Sequence, residues 1–218
     1  MLGVSRGTLR VALERLERTG EIVRRQGSGT FVGRVAELPA FSEGLEVLES
    51  YTSLAARQGL KLGVRDLVIE ERPAEEGPAT ALSLEPGTTV VAVDRVLLAD
   101  GAPAAHMCDL VHPDVALPSR DRLARAVEKG TMVLDVLIAG KVPIAFARTS
   151  VRPRLLTARD TTGKALEVSG TTAALELIET MHVTSGEALQ YATDVFAPGS
   201  VDLHVMRGLQ GEQPVHVA

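Results

Sequence analysis

Arginines and hydroxyl side chains at the start of the chain have the spacing expected of a surface that binds phosphates and base edges. Arg6 and Arg10 are four residues apart and therefore share one face of a helix, and an arginine can make a bidentate contact with guanine. Short hydroxyls at a helix start bind phosphate, as do arginines beside a glycine-containing turn. The residues with these properties are Ser5, Arg6, Thr8, Arg10, Arg24 and Arg25.

The segment from His106 to His112 contains two histidines, a cysteine and an aspartate, which are side chains that bind zinc or copper. Alternation along a strand would place His106 and Cys108 on one face. A structural site needs four ligands, so another histidine would have to come from elsewhere in the fold. Polar residues scattered around a buried cysteine explain the same pattern, and we predict no metal ion.

The charge of the chain is divided unevenly along its length. The total is −5, yet residues 1–34 carry seven arginines and three glutamates, a net charge of +4, and the remaining residues carry −9. A small basic module joined to a larger acidic one indicates an anionic partner for the first module only.

The composition limits the class of protein. The 218 residues include six aromatic side chains and no Trp, so the core must be built from Ala, Val, Leu and Ile. No window approaches 18 apolar residues, and the N-terminus lacks a secretory pattern, so we expect a cytoplasmic protein without a membrane span. A single cysteine excludes a disulfide framework.

The basic segment is predicted to form a helix and a β-hairpin. Ser5 is a plausible N-cap, apolar residues follow at helical spacing, and Gly20 stands where the helix should end. Two short β-prone runs, at 22–25 and 30–32, flank a turn containing Gly27 and Gly29. A helix followed by a basic hairpin is the order found in a winged helix-turn-helix, with the wing at 24–29.

The rest of the chain is predicted to mix helices with hairpin-connected strands. Asp100-Gly101 and Ser185-Gly186 are hairpin turn signals, which favour an antiparallel sheet and an α+β fold. After a linker at 33–41, the predicted helices are at 43–58, 78–84, 120–128, 131–138 and after Thr157. The predicted strands are at 62–71, 88–98, 104–111, 144–154, 172–183, 188–196 and 201–207.

The first segment resembles the recognition helix and wing of the GntR family of bacterial repressors. The resemblance is carried by Leu2–Arg10, Ala12–Glu17 and Gly20–Val32. It implies that Gln26 and Gly27 form the wing tip that reaches toward the minor groove. In this family two more helices precede the recognition helix, so we expect an upstream native start, a truncated chain, or another surface covering Leu9, Leu13, Leu16 and Phe31.

The later part resembles the UTRA effector-binding domain of the HutC subfamily, which has a chorismate-lyase-like fold. The markers are Asp94-Arg95, Ala99–Pro103, Leu84–Gly87 and the segment from Gln190-Tyr191 to His204-Val205. The family resemblance implies a ligand in a cavity of the antiparallel sheet, held in phosphosugar binders by arginines.

Arg95 matches the first basic position of those binders, whereas Leu97 and Met107 replace a basic and an acidic one. A less polar ligand, or an anion held by Arg95 with Arg148 or Arg152, fits as well. The resemblance, with strand alternation around Ser150, predicts the effector-binding residues Arg95, Arg148, Ser150, Arg152 and Tyr191.

We therefore predict an α+β chain with a partial winged helix-turn-helix at 1–33, a linker and connecting helix at 34–59, and an antiparallel-sheet, chorismate-lyase-like UTRA domain at 60–210. The predicted function is a transcriptional regulator, expected to be a repressor, with operator DNA, a small effector and a second copy of the chain as partners. No cofactor and no catalytic residue are predicted, because no nucleophile elbow, phosphate loop or HExxH motif is present. The alternative is a metabolite-binding domain or lyase-like enzyme that does not bind DNA.

Overall fold

A computed structural model describes residues 5, 7, 9, 10, 12, 13, 22–25, 29–32 and 41–205. The chain divides into two compact units, Met1–Leu38 and Pro39–Ala218.

The first unit contains helical residues and a hairpin. Residues 7, 9, 10, 12 and 13 are helical, and the strands β1 (Ile22–Arg25) and β2 (Gly29–Val32) pair antiparallel. Gly29 has a φ of +107°, a conformation that glycine adopts at little cost at the end of the turn. The predicted β-hairpin is confirmed.

The second unit is built around one six-stranded antiparallel sheet. The strands of this unit are β3 (Phe41–Gly44), β4 (Leu62–Pro73), β5 (Thr89–Ala99), β6 (Ala102–Val111), β7 (Ile144–Thr157), β8 (Thr171–Val183), β9 (Ala188–Phe196) and β10 (Val201–His204). The order in the six-stranded sheet is β4-β5-β6-β9-β8-β7, and a separate two-stranded sheet pairs β3 with β10.

Five helices accompany these strands. They are α1 (Tyr51–Gln58), α2 (Glu76–Ala81), α3 (Arg120–Glu128), α4 (Val133–Ala139) and α5 (Thr161–Ala165). Among the described residues, no helix is long and apolar enough to cross a bilayer. The predicted α+β class with a mostly antiparallel sheet is confirmed.

Tight turns set the register of the central strands. Asp100 and Gly101, between β5 and β6, have φ values of +50° and +87°, as a two-residue hairpin turn with both residues left-handed requires. This turn pairs Ala99 with Ala102, and an irregularity between Leu97 and Leu98 then shifts the register by one residue, so that Arg95 lies opposite Met107 and Val93 opposite Asp109. The hairpin predicted at this dipeptide is confirmed.

The sheet has two differently covered faces. The inner face packs against α1, α3 and α4, where Leu54 of α1, Leu123 of α3 and Leu137 of α4 are each 1% exposed. The outer face is covered only in part, by α2 near Val90 and by the segment after α5 near Leu156. Because side chains alternate along a strand, odd-numbered residues lie on the inner face and even-numbered ones on the outer face over residues 91–97 of β5 and 105–111 of β6.

The helix predicted over 43–58 is wrong for its first half. Residues 41–44 form β3, which pairs parallel with β10, and the helix begins only at Tyr51. Ser50 sets that start, since its side chain accepts a hydrogen bond from Ser53 N at 3.2 Å. The apolar residues before Ser50 therefore follow a strand and a turn rather than a helical turn.

Candidate functional site

A buried polar network lies on the inner face of the sheet. Arg95 of β5 is 2% exposed and forms an ion pair with Asp109 of β6, which is 4% exposed. Gln190 of β9 is 1% exposed and donates its side-chain N–H to the other oxygen of Asp109. Neighbouring strands bring the three residues together because β6 pairs with both β5 and β9.

The charge of Arg95 is maintained by its surroundings. Burial on its own lowers the pKa of the guanidinium, but the negative charge of Asp109 and its hydrogen bond raise it above the ordinary value. Arg95 also donates to the carbonyl of Val93 at 3.3 Å and lies 3.8 Å from the sulfur of Met132. The guanidinium of Arg95 is therefore held charged and oriented within a buried part of the fold.

The network lines a small cavity. Its walls come from four strands of the sheet and from the N-terminal ends of α1 and α4, and its volume is about 40 Å³. Four carboxylates line it together with Arg95: Glu49, Asp109, Glu179 and Asp194. Cavities that hold whole metabolites are typically about 300–1,000 Å³, so this one has room for only a few waters.

Glu179 of β8 lies at one side of this cavity. Thr149 of β7 donates its hydroxyl to Glu179 at 2.6 Å. Burial raises the pKa of the Glu179 carboxyl, the Thr149 hydrogen bond lowers it, and the negative charge of Asp109 raises it further, for a net upward shift. The carboxylate form of Glu179 is thus held in surroundings that disfavour it.

Two hydrogen bonds and two ring contacts fix the segment that covers the cavity. Thr52 donates its hydroxyl to the carbonyl of Gly130 at 3.0 Å and accepts from Met132 N at 3.3 Å, which joins the starts of α1 and α4. The ring of Tyr51 packs edge-on against Phe41 and Phe196, with centroids 5.4 and 5.7 Å apart.

The predicted effector residues do not all lie on the same face of the sheet. Arg95 lies on the inner face, whereas Tyr191 follows Gln190 along β9 and therefore lies on the outer face. Arg148, Ser150 and Arg152 do share one face of β7, but it is also the outer one, because Thr149 between them contacts Glu179 on the inner side. The structure brings together Arg95 with residues of other strands, not with these four.

The outer face carries its own charged group. Arg72 of β4 forms an ion pair with Asp94 at 3.0 Å and donates to the sulfur of Cys108 at 3.0 Å. Burial, followed by the charge of Asp94, raises the pKa of the Cys108 thiol well above its ordinary range, so the reactive thiolate is disfavoured. This is the opposite of what a cysteine nucleophile requires.

The candidate metal ligands are separated. His106 contacts the Thr162 hydroxyl at 3.1 Å, Asp109 lies on the inner face with Arg95, and His112 accepts from Asp114 N at 3.2 Å. Within the described ranges, no three His, Cys, Asp or Glu side chains are grouped as a metal ion would need.

A larger groove of about 330 Å³ lies beside α3, lined by apolar side chains such as Ile69 and Leu123. Its charged residues, Glu70, Glu71 and Arg120, are exposed to solvent. It lacks the buried, oriented polar groups that give a site its specificity. The Arg95 cavity is therefore the stronger candidate.

The predicted DNA-contact residues are only partly described. Ser5 and Arg10 are exposed, and Arg24 and Arg25 belong to β1, where Arg25 lies opposite Gly29. Leu9 is 40% exposed. Arg6, Thr8, Gln26 and Gly27 lie outside the described residues.

Sequence reasoning missed Asp109 as the partner of Arg95, and it missed Gln190 and Glu179 entirely. Both Gln190 and Tyr191 were part of the family marker, and only strand phase distinguishes them. The local sequence carried no signal that separates them, because residues on both faces of β9 are buried or half-buried.

Two family models match the chain. The model described as "Bacterial regulatory proteins, gntR family" matches residues 1–32, and the model described as "UTRA domain" matches residues 57–201. The second match covers more than half of the chain and contains the whole six-stranded sheet.

Two curated proteins are similar along most of the chain. The HTH-type transcriptional repressor NagR of Bacillus subtilis (strain 168) is 24% identical over 194 residues, 89% of this chain and 76% of that protein. An uncharacterized HTH-type transcriptional regulator of Rhizobium meliloti (strain 1021), RB1450, is 26% identical over 218 residues, 93% of this chain and 80% of that protein.

Solved structures share the fold. YydK from Bacillus subtilis is 18% identical with a TM-score of 0.61, covering 94% of this chain and 84% of that one. PhnF from Mycobacterium smegmatis is 23% identical with a TM-score of 0.57, covering 95% and 87%. The resemblance found in the sequence is confirmed: the chain belongs to the GntR family of bacterial regulatory proteins, in the group that joins the DNA-binding module to a UTRA domain, and is a DNA-binding transcriptional regulator modulated by a small-molecule effector.

Proposed function

We propose that the chain is a repressor that releases operator DNA when its effector occupies the Arg95 cavity. The observation that carries this proposal is the buried Arg95–Asp109–Gln190 network, which lines a cavity inside the segment matching the UTRA domain. Residues 1–32 match the GntR model, and they are the DNA-binding module that an effector in this cavity would control. The similar protein NagR is named a transcriptional repressor, which supports the same direction of control.

The proposal includes an assignment of segments. Residues 1–33 contact operator DNA, residues 34–59 connect, and residues 60–210 bind the effector and form a homodimer. A dimer is expected because two recognition helices must reach half-sites about one helical turn apart. We place the protein in the cytoplasm, where operator DNA and metabolites meet, and assign it no enzymatic activity.

The small volume of the cavity suggests how the effector acts. Since about 40 Å³ cannot admit a metabolite, an entering molecule must displace part of the cover formed by Glu49–Tyr51 and Met132. The cover continues along the chain into β3 and then into the linker that leads to the DNA-binding module. Displacement of the cover therefore changes the segment that precedes α1, and the free energy of that change couples effector binding to DNA binding.

The proposed DNA contacts are Ser5, Arg6, Thr8, Arg10, Arg24, Arg25, Gln26 and Gly27. Fluorescence anisotropy on DNA from the promoter of its own gene, across a salt series, tests them. We expect affinity to fall steeply with salt, and the double variant Arg6→Ala/Arg10→Ala to bind at least about tenfold more weakly.

The matched control is Arg120→Ala/Arg122→Ala, which removes the same charge from exposed positions of α3. Equal losses in the two double variants would contradict the assignment of DNA contacts to residues 1–33. An affinity that does not change with salt would contradict the proposed contacts between these arginines and DNA phosphates.

A further inference from the structure

The Arg95 cavity holds more negative than positive charge. Arg95 is matched by Asp109, and Glu49 at the rim forms an ion pair with Arg57 at 2.5 Å. Asp194 also lines the cavity and acts on Arg95 through its charge, and Glu179 adds a further carboxylate to the lining. Among the described residues, Glu179 has no arginine, lysine or histidine within ion-pair distance.

A residue that lines the same cavity, Gln190, carries a buried acceptor. A carboxylate only accepts hydrogen bonds, so the contact with Asp109 requires the amide nitrogen of Gln190 to point at Asp109. The amide oxygen Oε1 then points elsewhere, and it has no hydrogen-bond donor within the described part of the chain although Gln190 is 1% exposed. A buried acceptor without a donor is costly, and a ligand N–H would remove that cost.

One donor is also left over. Arg95 uses both Nη atoms, on Asp109, Val93 and Met132, but its Nε has no acceptor among the described residues. A ligand that satisfies the cavity therefore needs N–H donors for Gln190 and an oxygen acceptor for Arg95.

We propose that the effector is a small protonated amine with a neighbouring oxygen, whose nitrogen binds Gln190 Oε1 and Glu179 and whose oxygen accepts from Arg95 Nε. The inference rests on the proposed function, because it takes the Arg95 cavity as the effector site. The positive nitrogen offsets the unmatched charge of Glu179, whose ionised form is disfavoured by burial in the empty cavity.

This proposal departs from the anionic effector that the arginines of the sequence suggested. An anion would have to compete with Asp109 for Arg95, in a cavity lined by three other carboxylates. Arg148 and Arg152 lie on the outer face and cannot help to neutralise it. The carboxylates that line the cavity would repel an anion, so the charge balance favours a cation.

Three two-carbon probes of similar size test the charge of the ligand: 2-aminoethanol, ethylene glycol and glycolate. Each is titrated into the full-length, ¹⁵N-labelled protein at constant ionic strength, and chemical shifts of inner-face amides give the dissociation constant. We expect 2-aminoethanol to bind at least about tenfold more tightly than glycolate, with ethylene glycol between them. Glycolate binding as tightly as 2-aminoethanol, or no binding of any probe up to 100-fold molar excess, would overturn the proposal.

Two variants of the same strand locate the contact. Glu179→Gln keeps the shape of the side chain and should weaken 2-aminoethanol binding about tenfold while leaving ethylene glycol unchanged. Glu176→Gln makes the same change on the outer face, where Glu176 pairs with Arg154 at 2.7 Å, and should leave every probe unchanged. Equal effects of the two variants would also overturn the proposal.

The DNA experiment separates this inference from the proposed function. If glycolate binds the cavity and changes operator affinity, the regulatory site stands and only the amine is wrong. If 2-aminoethanol binds as expected but no cavity variant alters the response of the DNA complex to metabolites, the amine site stands and the proposed regulation is wrong.

Discussion

The two faces of the six-stranded sheet each carry an arginine–aspartate pair, in very different surroundings. On the inner face, Arg95 and Asp109 have side chains that are 1% and 6% exposed. On the outer face, Arg72 and Asp94 are 3.0 Å apart with side chains that are 36% and 24% exposed. The same two residue types therefore form a buried ion pair in one place and a solvated pair in the other.

The difference between the faces lies in what remains when one partner is lost. A solvated arginine can regain its hydrogen bonds from water, so the pair contributes about 0–1 kcal/mol. A buried arginine cannot, and its isolation costs about 3–5 kcal/mol. This asymmetry makes the inner network sensitive to any molecule or mutation that changes its charge balance.

The largest effect should come from removing the negative charge of the inner pair. Asp109→Asn leaves Arg95 buried without a counter-charge and should lower the free energy of unfolding by about 3–5 kcal/mol. Asp94→Asn makes the same change on the outer face and should lower it by less than about 1 kcal/mol. Urea denaturation of both variants measures the difference, and similar losses would remove the distinction between the faces.

A smaller loss of stability is expected for substitutions in β9, the strand that pairs with β6. Gln190→Leu removes the hydrogen bond to Asp109 and should destabilise the protein by about 1–2 kcal/mol, because part of the loss is offset by removing an acceptor that has no donor. The adjacent outer-face change, Tyr191→Phe, should cost less than about 0.5 kcal/mol. A Tyr191→Phe variant that is the less stable of the two would show that strand β9 faces the other way.

The smallest effect concerns the pH dependence at Glu179. Its pKa is raised in the folded state, so the protonated form stabilises the fold at low pH, and that contribution is lost as pH rises through the native pKa. Glu179→Gln cannot lose a proton and should therefore raise the Tm at pH 7 by about 1–3 °C in a chain of this length.

The gain at Glu179→Gln should vanish below the pKa of an unfolded glutamate, about 4.3, where wild-type Glu179 is also protonated. Thermal unfolding of wild type, Glu179→Gln and Glu176→Gln from pH 4 to pH 8 measures it. A Tm difference between wild type and Glu179→Gln that is independent of pH would contradict the raised pKa.

Local signals were enough to predict the main strands. The Asp100-Gly101 turn and the alternating runs on either side of it predicted the β5–β6 hairpin, because both are encoded within neighbouring residues. The β3–β10 pair was missed since two strands of four residues, about 160 positions apart, carry no local signal of their pairing. Tertiary contact overrode the helical interpretation of residues 43–50.

The site was predicted less completely than the fold. Arg95 was identified from its family position, but its partner depends on the register of β5 against β6 and of β6 against β9. A change of one residue in register exchanges the two faces, and Gln190 and Tyr191 accordingly lie on opposite faces of β9. Residues on both faces of β9 are buried or half-buried, so the pattern of apolar residues does not show which of its faces is the inner one.

The central claim is that an effector bound on the inner face controls operator binding. Ala192→Val adds two methyl groups to the wall of the Arg95 cavity, while Thr193→Val changes the next residue on the outer face at nearly constant size. Fluorescence anisotropy on promoter DNA, with and without the small-molecule fraction of a cell extract, compares the two variants with wild type.

We predict that both variants bind DNA as wild type does, that metabolites release wild type and Thr193→Val, and that Ala192→Val stays bound. Release of Ala192→Val at the wild-type metabolite concentration, with Thr193→Val remaining on the DNA, would contradict the claim.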